Sequence, residues 1–432
     1  MSVLTFAGYV AVEMARVDSA NQLVKALPST LLYPAAAVLL YFAMHITMRF
    51  LAPNADGLLL PLAAALTSVG LVMIDRLGPD LPFASERNSA HVQVIWLLVA
   101  AVAFIAVLLF LRNYETLSRY KYSIGLLALL FLAVPMLFGT TVNGAKLWLF
   151  IGPLHFQPSE IAKILLVIFL AAFFAEKHEL LSISTHRVAG VNVPELKYFV
   201  PLIVMWGVSI LMMIFQKDLG SSLLFFGIFI VMLYVATGRK SYIFVGFAMF
   251  ILGAYVCYLL FAHVQVRVVT WLNPFNPATI HKDSYQISQS LFAFSAGGLS
   301  GAGLGLGHPT IVPSVTTDAI FAAIGEELGL IGAASVVIMY ILFVARGLKV
   351  ALSQRDDFSK LLAVGLVSVV AIQSFIIMGG ITRLIPLTGV TLPFVSYGGS
   401  SLLANYILLG LLLVVSQRGA STNVASIKQG RR

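Results

Sequence analysis

The sequence predicts an all-α polytopic membrane protein. Three observations carry that prediction. The 432 residues are 59% hydrophobic and only 10% charged, whereas soluble domains average about 25% charged residues. Apolar runs of roughly 18 or more residues, the length a helix needs to cross the hydrocarbon core, recur along the chain. The sequence lacks the short alternating segments of a membrane β-barrel.

Taken in order, the runs place eleven helices, near residues 30–48, 57–74, 91–111, 122–140, 158–175, 198–215, 219–236, 241–262, 318–345, 360–380 and 398–416. Pro61 and Pro201 fall near helix starts, where proline is tolerated. Residues 1–29 carry Glu13, Arg16, Asp18 and Lys25 and lack the order of a cleavable signal peptide. The run at 30–48 is therefore expected to direct insertion. With the C-terminus in the cytoplasm, 17 of the 27 Lys and Arg residues fall on inner loops and nine on outer ones, in keeping with the positive-inside rule. Eleven crossings then put the N-terminus outside. The same rule accounts for the net charge of +9 without nucleic acid. Cys257 is the one cysteine, so no internal disulfide forms.

One stretch breaks the apolar pattern. Residues 264–317 (VQVRVVTWLNPFNPATIHKDSYQISQSLFAFSAGGLSGAGLGLGHPTIVPSVTT) are polar and rich in Gly, Pro and Ser, and Asp283 is their only carboxylate. The charge balance puts this loop outside, and loops on a rigid scaffold carry chemistry. Its glycine series at 297–307 lacks the preceding strand and the following Lys-Ser/Thr of a phosphate-binding loop; such glycines suit tight turns or close backbone approach. Two other connections, TTVNGAKLWLFIGPLHFQPSEIAKILL and GGITRLIPLTGVTLPFVSYGGSSLLAN, mix Gly and Pro with apolar residues. They are expected to fold onto the bundle beneath the loop, because non-helical backbone at membrane depth needs shielding.

Ionisable residues at membrane depth are expensive and so are functional candidates. Glu160 and Lys163 share one helix face, and the plainer reading is a structural ion pair locking two helices. Asp218, followed by Gly220, Ser221 and Ser222, reads first as a helix cap; the alternative gives Lys217 and Asp218 a place in an outer cavity. Asp318, Glu326 and Glu327 open the next helix, and some of them are expected to hold the outer loop by accepting its backbone donors. His155, His281 and His308 are scattered and read as surface or packing residues.

Five stretches carry a resemblance: NGAKLWLFIGPLHFQPSEIAK (143–163), QKDLGSS (216–222), YQISQSLFAFSAGGLSGAG (285–303), TDAIFAAIGEELG (317–329) and IPLTGVTLPFVSYGGSSLLAN (385–405). Their order and content resemble the SEDS family (shape, elongation, division and sporulation) of RodA, FtsW and SpoVE. The resemblance implies a ten-helix core at 57–418, preceded by an N-terminal segment 1–56 with an extra helix and followed by a basic cytoplasmic tail, 419–432. It implies a peptidoglycan glycosyltransferase of the bacterial cytoplasmic membrane that polymerises lipid II into undecaprenyl-linked glycan on the outer face, beside a class B penicillin-binding protein and membrane lipids. The family's essential acid is an Asp-Pro aspartate about six residues before a Tyr-Gln pair. Here Tyr285–Gln286 is preceded by Asn-Pro-Phe-Asn-Pro at 273–277, and Asp283 stands two residues before Tyr285. The acid is expected to have migrated along a lengthened loop. Lys146 replaces the usual Arg, and Lys217 the usual Pro.

Such a reaction needs a base for the attacking sugar hydroxyl, and Asp283 takes that role. With no second loop carboxylate to act as nucleophile, the expected outcome is inversion by direct displacement. Lys146, Lys217 and Arg383 are the outer-face cations for the pyrophosphates. Tyr285, Gln289 and Ser290 are further substrate contacts, with Ser400 in support. A divalent cation, Mg²⁺ or Mn²⁺, is compatible with this chemistry, although no ligand set is legible. Two rival readings use the same fold: a lipid II transporter with Glu160, Lys163 and Glu326 along an internal path, and a non-catalytic scaffold that recruits the penicillin-binding protein.

Overall fold

The computed structural model describes residues 2–429 apart from 18, 20, 23–25, 27, 29, 83–86, 143–144, 152–153, 183–185, 189–190 and 194–199. Lys25, Lys197, Arg431 and Arg432, counted in the charge balance, lie outside the described residues, as does Asp18. All eleven predicted runs are helical. After an additional first helix, α1 (Ser2–Arg16), they are α2 (Leu32–Leu51), α3 (Leu59–Leu77), α4 (Ser89–Phe110), α5 (Lys121–Phe138), α6 (Ser159–Ser182) and α7 (Val200–Phe215). The series continues, beyond Gln216, with α8 (Leu219–Thr237) and α9 (Lys240–Leu260). Two helices within the predicted loop follow, α10 (Ala262–Leu272) and α11 (Tyr285–Gly297). The last three are α12 (Ile320–Leu352), α13 (Asp357–Ile381) and α14 (Gly399–Gln429).

Among the described residues nine helices are long and apolar enough to cross a membrane, and the chain is a multi-pass membrane protein. Helices α13 and α14 are the most enclosed, whereas α9 is almost wholly exposed, as a lipid-facing helix would be. Helix α14 continues to Gln429, so residue 419 marks no helix end.

Helix α1 falls where the sequence reading placed no helix. Its 15 residues are too short to span a bilayer, so hydropathy alone passes over it. What holds it is an amphipathic stripe: Thr5, Tyr9 and Val12 recur at helical spacing and are fully buried. Thr5 bonds Ser68 on α3 at 2.9 Å, and Arg16 donates to the Asp75 carbonyl at 2.6 Å.

A second departure from a purely helical chain is a small antiparallel meander, β1 (Thr140–Val142), β2 (Ala145–Ile151) and β3 (Leu154–Phe156), in the order β1-β2-β3. Pairing the strands satisfies backbone groups that lipid would leave unbonded. Ser400 ties the meander to the start of α14: its hydroxyl accepts from the Gln157 amide at 2.8 Å and donates to the His155 carbonyl at 3.2 Å. A hairpin, β4 (His186–Val188) and β5 (Val191–Val193), lies between α6 and α7.

Helix α12 is broken at Gly329, whose φ of 67° and ψ of −169° no helix contains. The glycine-rich stretch after α11 threads into the break. Ala302 and Gly303 amides donate to the Glu326 and Glu327 carbonyls, and the Leu330 and Ile331 amides donate to the Gly298 and Leu299 carbonyls. A side chain on Gly301 would stand 2.2 Å from the Glu327 carbonyl oxygen, so only glycine permits this approach. The two carboxylates finish the job: Glu326 accepts from the His308 amide at 2.7 Å and Glu327 from the Gly305 amide at 3.0 Å. That is the loop-holding role expected of them from the sequence.

Candidate active site

The polar half of the loop and the segment after α13 meet around a pocket of ≈ 210 Å³ lined by Arg267, Asp283, Gln286 and Asp318, with Trp271 and Gly389 among its other walls. Four separate stretches build it. Helix α10 supplies Arg267 and Trp271 one turn apart. The chain then turns tightly: the Ala278 amide bonds the Asn276 side chain at 3.0 Å, the Ser284 amide bonds the Thr279 carbonyl at 3.0 Å, and the Thr279 and Ser284 hydroxyls meet at 2.9 Å. These bonds fix Asp283 just ahead of α11. Its side chain is exposed at the pocket mouth. Among the described residues nothing bonds to it, which leaves both oxygens free to accept a proton.

Asp318 lines the same pocket. It precedes α12 rather than opening it, held there because the Tyr397 amide donates to the Thr316 carbonyl at 2.8 Å and Ser396 donates to the Thr317 carbonyl at 2.5 Å. Its carboxylate and the Arg267 guanidinium converge on Gly389. A methyl at Gly389 would lie 3.4 Å from Asp318 Oδ2 and 3.8 Å from Arg267 Nη2. Arg267 is anchored by donating to the Leu387 carbonyl. Burial pushes the Asp318 carboxyl up to about 6, against the opposing pull of Arg267. Burial likewise lowers Arg267, with Asp318 and Asp218 pulling it back up.

The pocket thus holds two carboxylates where the sequence offered one. Of the three acids grouped from the sequence, Glu326 and Glu327 hold the loop and Asp318 lines the pocket. Arg267 was counted only as one of nine outer cations. Its spacing of four from Trp271 on one helix face was the available signal.

The other predicted residues take varied places. Asp218 caps α8, accepting from the Ser221 amide at 3.0 Å, and its second oxygen is buried without a hydrogen bond. Lys217 is exposed, with a left-handed φ of 61°. Arg383, also left-handed at 63°, donates to the Trp271 and Leu272 carbonyls at 2.9 and 2.7 Å, and Trp271 Nε1 returns a bond to its carbonyl at 3.1 Å. It closes the C-terminus of α10 beside the pocket. Lys146 sits on β2 and donates to the Met136 carbonyl at 3.0 Å; it does not line the pocket. Ser290 is buried and bonded to the Gln286 carbonyl of its own helix. Tyr285 and Gln289 are half-buried on α11, and neither lines the pocket. Glu160 and Lys163 pair at 2.5 Å inside the bundle, and Lys163 reaches Gln373 on α13 at 2.9 Å. The ion pair lies within α6, and the link between two helices is the Lys163–Gln373 hydrogen bond. Among the described residues no three His, Cys, Asp or Glu side chains converge as a metal site.

Comparison with known proteins follows the same residues. Residues 56–420 match the family model described as Cell cycle protein, FtsW/RodA/SpoVE. Over 389 residues the chain is 46% identical to "Peptidoglycan glycosyltransferase RodA" of Mycobacterium tuberculosis, covering 89% of this chain and 82% of that one. It is 34% identical over 377 residues to "Probable peptidoglycan glycosyltransferase FtsW" of Geobacter metallireducens, covering 85% and 96%. Its fold matches a chain from a solved structure described as "Structural coordination of polymerization and crosslinking by a peptidoglycan synthase complex", with a TM-score of 0.68, 26% identity, and 84% and 98% coverage.

Proposed function

The chain belongs to the FtsW/RodA/SpoVE family, and from that premise we propose that it is a peptidoglycan glycosyltransferase that polymerises lipid II. The observation that carries the reading is the pocket itself: an unbonded carboxylate, Asp283, opens on the same space as a half-buried guanidinium, Arg267. Asp283 takes the proton from the attacking sugar hydroxyl. Arg267, joined by the exposed Lys217, stabilises negative charge as the lipid pyrophosphate leaves. Asp318 stands against Arg267 and orients it, which keeps the two carboxylates in different roles and leaves the displacement a direct, inverting one. Asp283 and Asp318 are also the hard oxygen donors that would hold Mg²⁺ or Mn²⁺, which would neutralise pyrophosphate charge.

The surplus of Lys and Arg on the loops that alternate with this pocket supports a cytoplasmic C-terminus and an active site on the outer face of the bacterial cytoplasmic membrane. The synthase complex of the structural relative supports a class B penicillin-binding protein as partner, with lipid II and undecaprenyl-linked glycan as substrate and product. The deciding experiment is glycan polymerisation by the purified protein in lipid, comparing wild type with Asp283→Ala and Glu160→Ala. Loss of about a hundredfold or more in Asp283→Ala is expected, without unfolding, because the carboxylate bonds nothing in the fold. Full activity in Asp283→Ala would sink the assignment. Loss in Glu160→Ala alone would favour an internal transport path, and wild-type polymerisation without a partner protein excludes a bare scaffold.

A further inference from the structure

The face of α10 that lines the pocket runs on past it. Arg267, Thr270 and Trp271 line the pocket from that helix. His263 stands one turn before Arg267 on the same face. Its imidazole is half-buried and lies tilted against Phe261, with ring centroids 5.6 Å apart. Its Nε2 is shielded from solvent and has no hydrogen bond. A shielded ring nitrogen without a partner calls for an explanation. The charges that act on the ring are both positive: Arg267 from its own helix and Lys217 from the turn between α7 and α8. The carboxylates of Asp218 and Asp318 act on Arg267 and not on His263. Burial first, and then the two cations, hold His263 below the usual histidine value of 6.5, so at neutral pH the ring is uncharged.

We propose that His263 is a contact for the lipid diphosphate and takes up a proton as that anion arrives, so that lipid II binding is coupled to protonation of the protein. The assignment rests on the glycosyltransferase reading above. Side chains one turn apart, about 5.4 Å along the helix axis, reach neighbouring phosphates of one diphosphate. Arg267, in the pocket with Asp283, takes the phosphate at the reacting sugar; His263, next to the lipid-facing α9, takes the phosphate at the polyprenyl chain. The negative charge of the diphosphate reverses the field that keeps the ring neutral. A proton drawn from water then makes Nε2 a charged donor, and it returns to water when the diphosphate leaves. A third permanent cation would repel Arg267 and Lys217 in every state of the cycle; a histidine carries its charge only beside the anion.

The test is calorimetry of lipid II binding to the full chain in phosphatidylcholine nanodiscs, with Asp283→Ala throughout so that nothing turns over. Titrations near neutral pH in two buffers of different ionisation heat read the proton uptake. Uptake of about half a proton or more is expected, and its loss when His263→Gln is added. Uptake that persists in His263→Gln belongs to another group, Asp318 foremost, and overturns the proposal; so does the absence of uptake. In the protein with Asp283 intact, the KM for lipid II should rise about tenfold between pH 6.5 and 8. His263→Gln should show a raised KM that is flat with pH and a kcat near wild type. His263→Arg should keep a low KM that is also flat, because its charge is permanent, and this rescue keeps the test decisive if Gln disturbs the packing on Phe261. A wild-type slope in His263→Gln overturns the proposal. Proton uptake as expected, in a protein whose wild type forms no glycan, overturns the glycosyltransferase reading and leaves the diphosphate contact standing.

Discussion

Arg76 Nε lies 2.9 Å from Glu327 Oε1, with the Glu327 side chain fully enclosed and Arg76 only 7% exposed. Arg76 also donates to the Gly307 carbonyl at 3.0 Å and pairs with Asp80 at 2.5 Å. One guanidinium therefore joins α3, the glycine-rich stretch and α12. The pair lies too far from Asp283's pocket to line it, so its role is to keep that stretch seated in the helix break.

Removing one member of the pair leaves the other charge buried. Glu327→Leu or Arg76→Leu should therefore destabilise the protein by about 3 kcal/mol or more, whereas the double Leu variant should recover part of that loss. Thermal unfolding of the three variants in detergent checks this, and a double variant no better than the worse single one would contradict it. Protease cleavage within residues 297–308 should rise in the single variants.

Arg267→Ala should lower kcat by about a hundredfold, as expected when a preorganised charge at the leaving group is lost. Arg267→Lys should restore only part, because an ammonium keeps the charge but not the planar fork that spans the Leu387 carbonyl and the pocket. Steady-state kinetics on lipid II provides the readout. An unchanged kcat in Arg267→Ala would move the leaving-group role to Lys217.

The Asp318 carboxyl is raised from 3.8 to about 6 by burial. A raised acid binds its proton more tightly when folded, so its stabilising contribution is complete below pH 3.8 and is lost as pH climbs through 6. Asp318→Asn has no such loss. The stability of the variant relative to wild type should therefore grow across that window by about 1–2 kcal/mol, after allowing for solvent screening in a pocket open at its mouth. Unfolding curves measured from acid to neutral pH decide the matter; a flat difference would contradict the burial argument.

Gly389 has a left-handed φ of 77° and carries no side chain where Asp318 and Arg267 converge. Gly389→Ala adds strain of about 1 kcal/mol and a methyl 3.4 Å from Asp318 Oδ2. Activity should fall further than stability, and the KM for lipid II should rise. A variant with wild-type KM would show that substrate does not occupy this corner.

Most of the fold was legible because lipid imposes one simple demand: each spanning segment has to be apolar and long. That demand located all eleven runs. It is silent about α1, whose signal is a three-residue stripe, and about the β1–β3 meander, whose backbone bonds rather than hydropathy decide its form. The site was legible in part. Asp283 stood out as the loop's only acid, and Glu326 and Glu327 were placed correctly because two acids beside a glycine series have obvious amide partners. Arg267 and Asp318 were missed as a pair because 51 residues separate them in the chain and only the segment after α13 brings them together. Arg383 was read as an outer-face cation for the pyrophosphates; that it also closes the end of α10 follows from a left-handed backbone that no sequence pattern announces.

The broken helix has a consequence for how the protein opens. Across the break at Gly329, amides of the glycine-rich stretch bond helix carbonyls, and helix amides bond carbonyls of that stretch. Neither partner can fray alone without orphaning the other's backbone groups. The two should melt as a single cooperative unit, and hydrogen exchange at Ala302, Gly303, Leu330 and Ile331 should share one opening free energy although the residues come from a loop and a membrane helix.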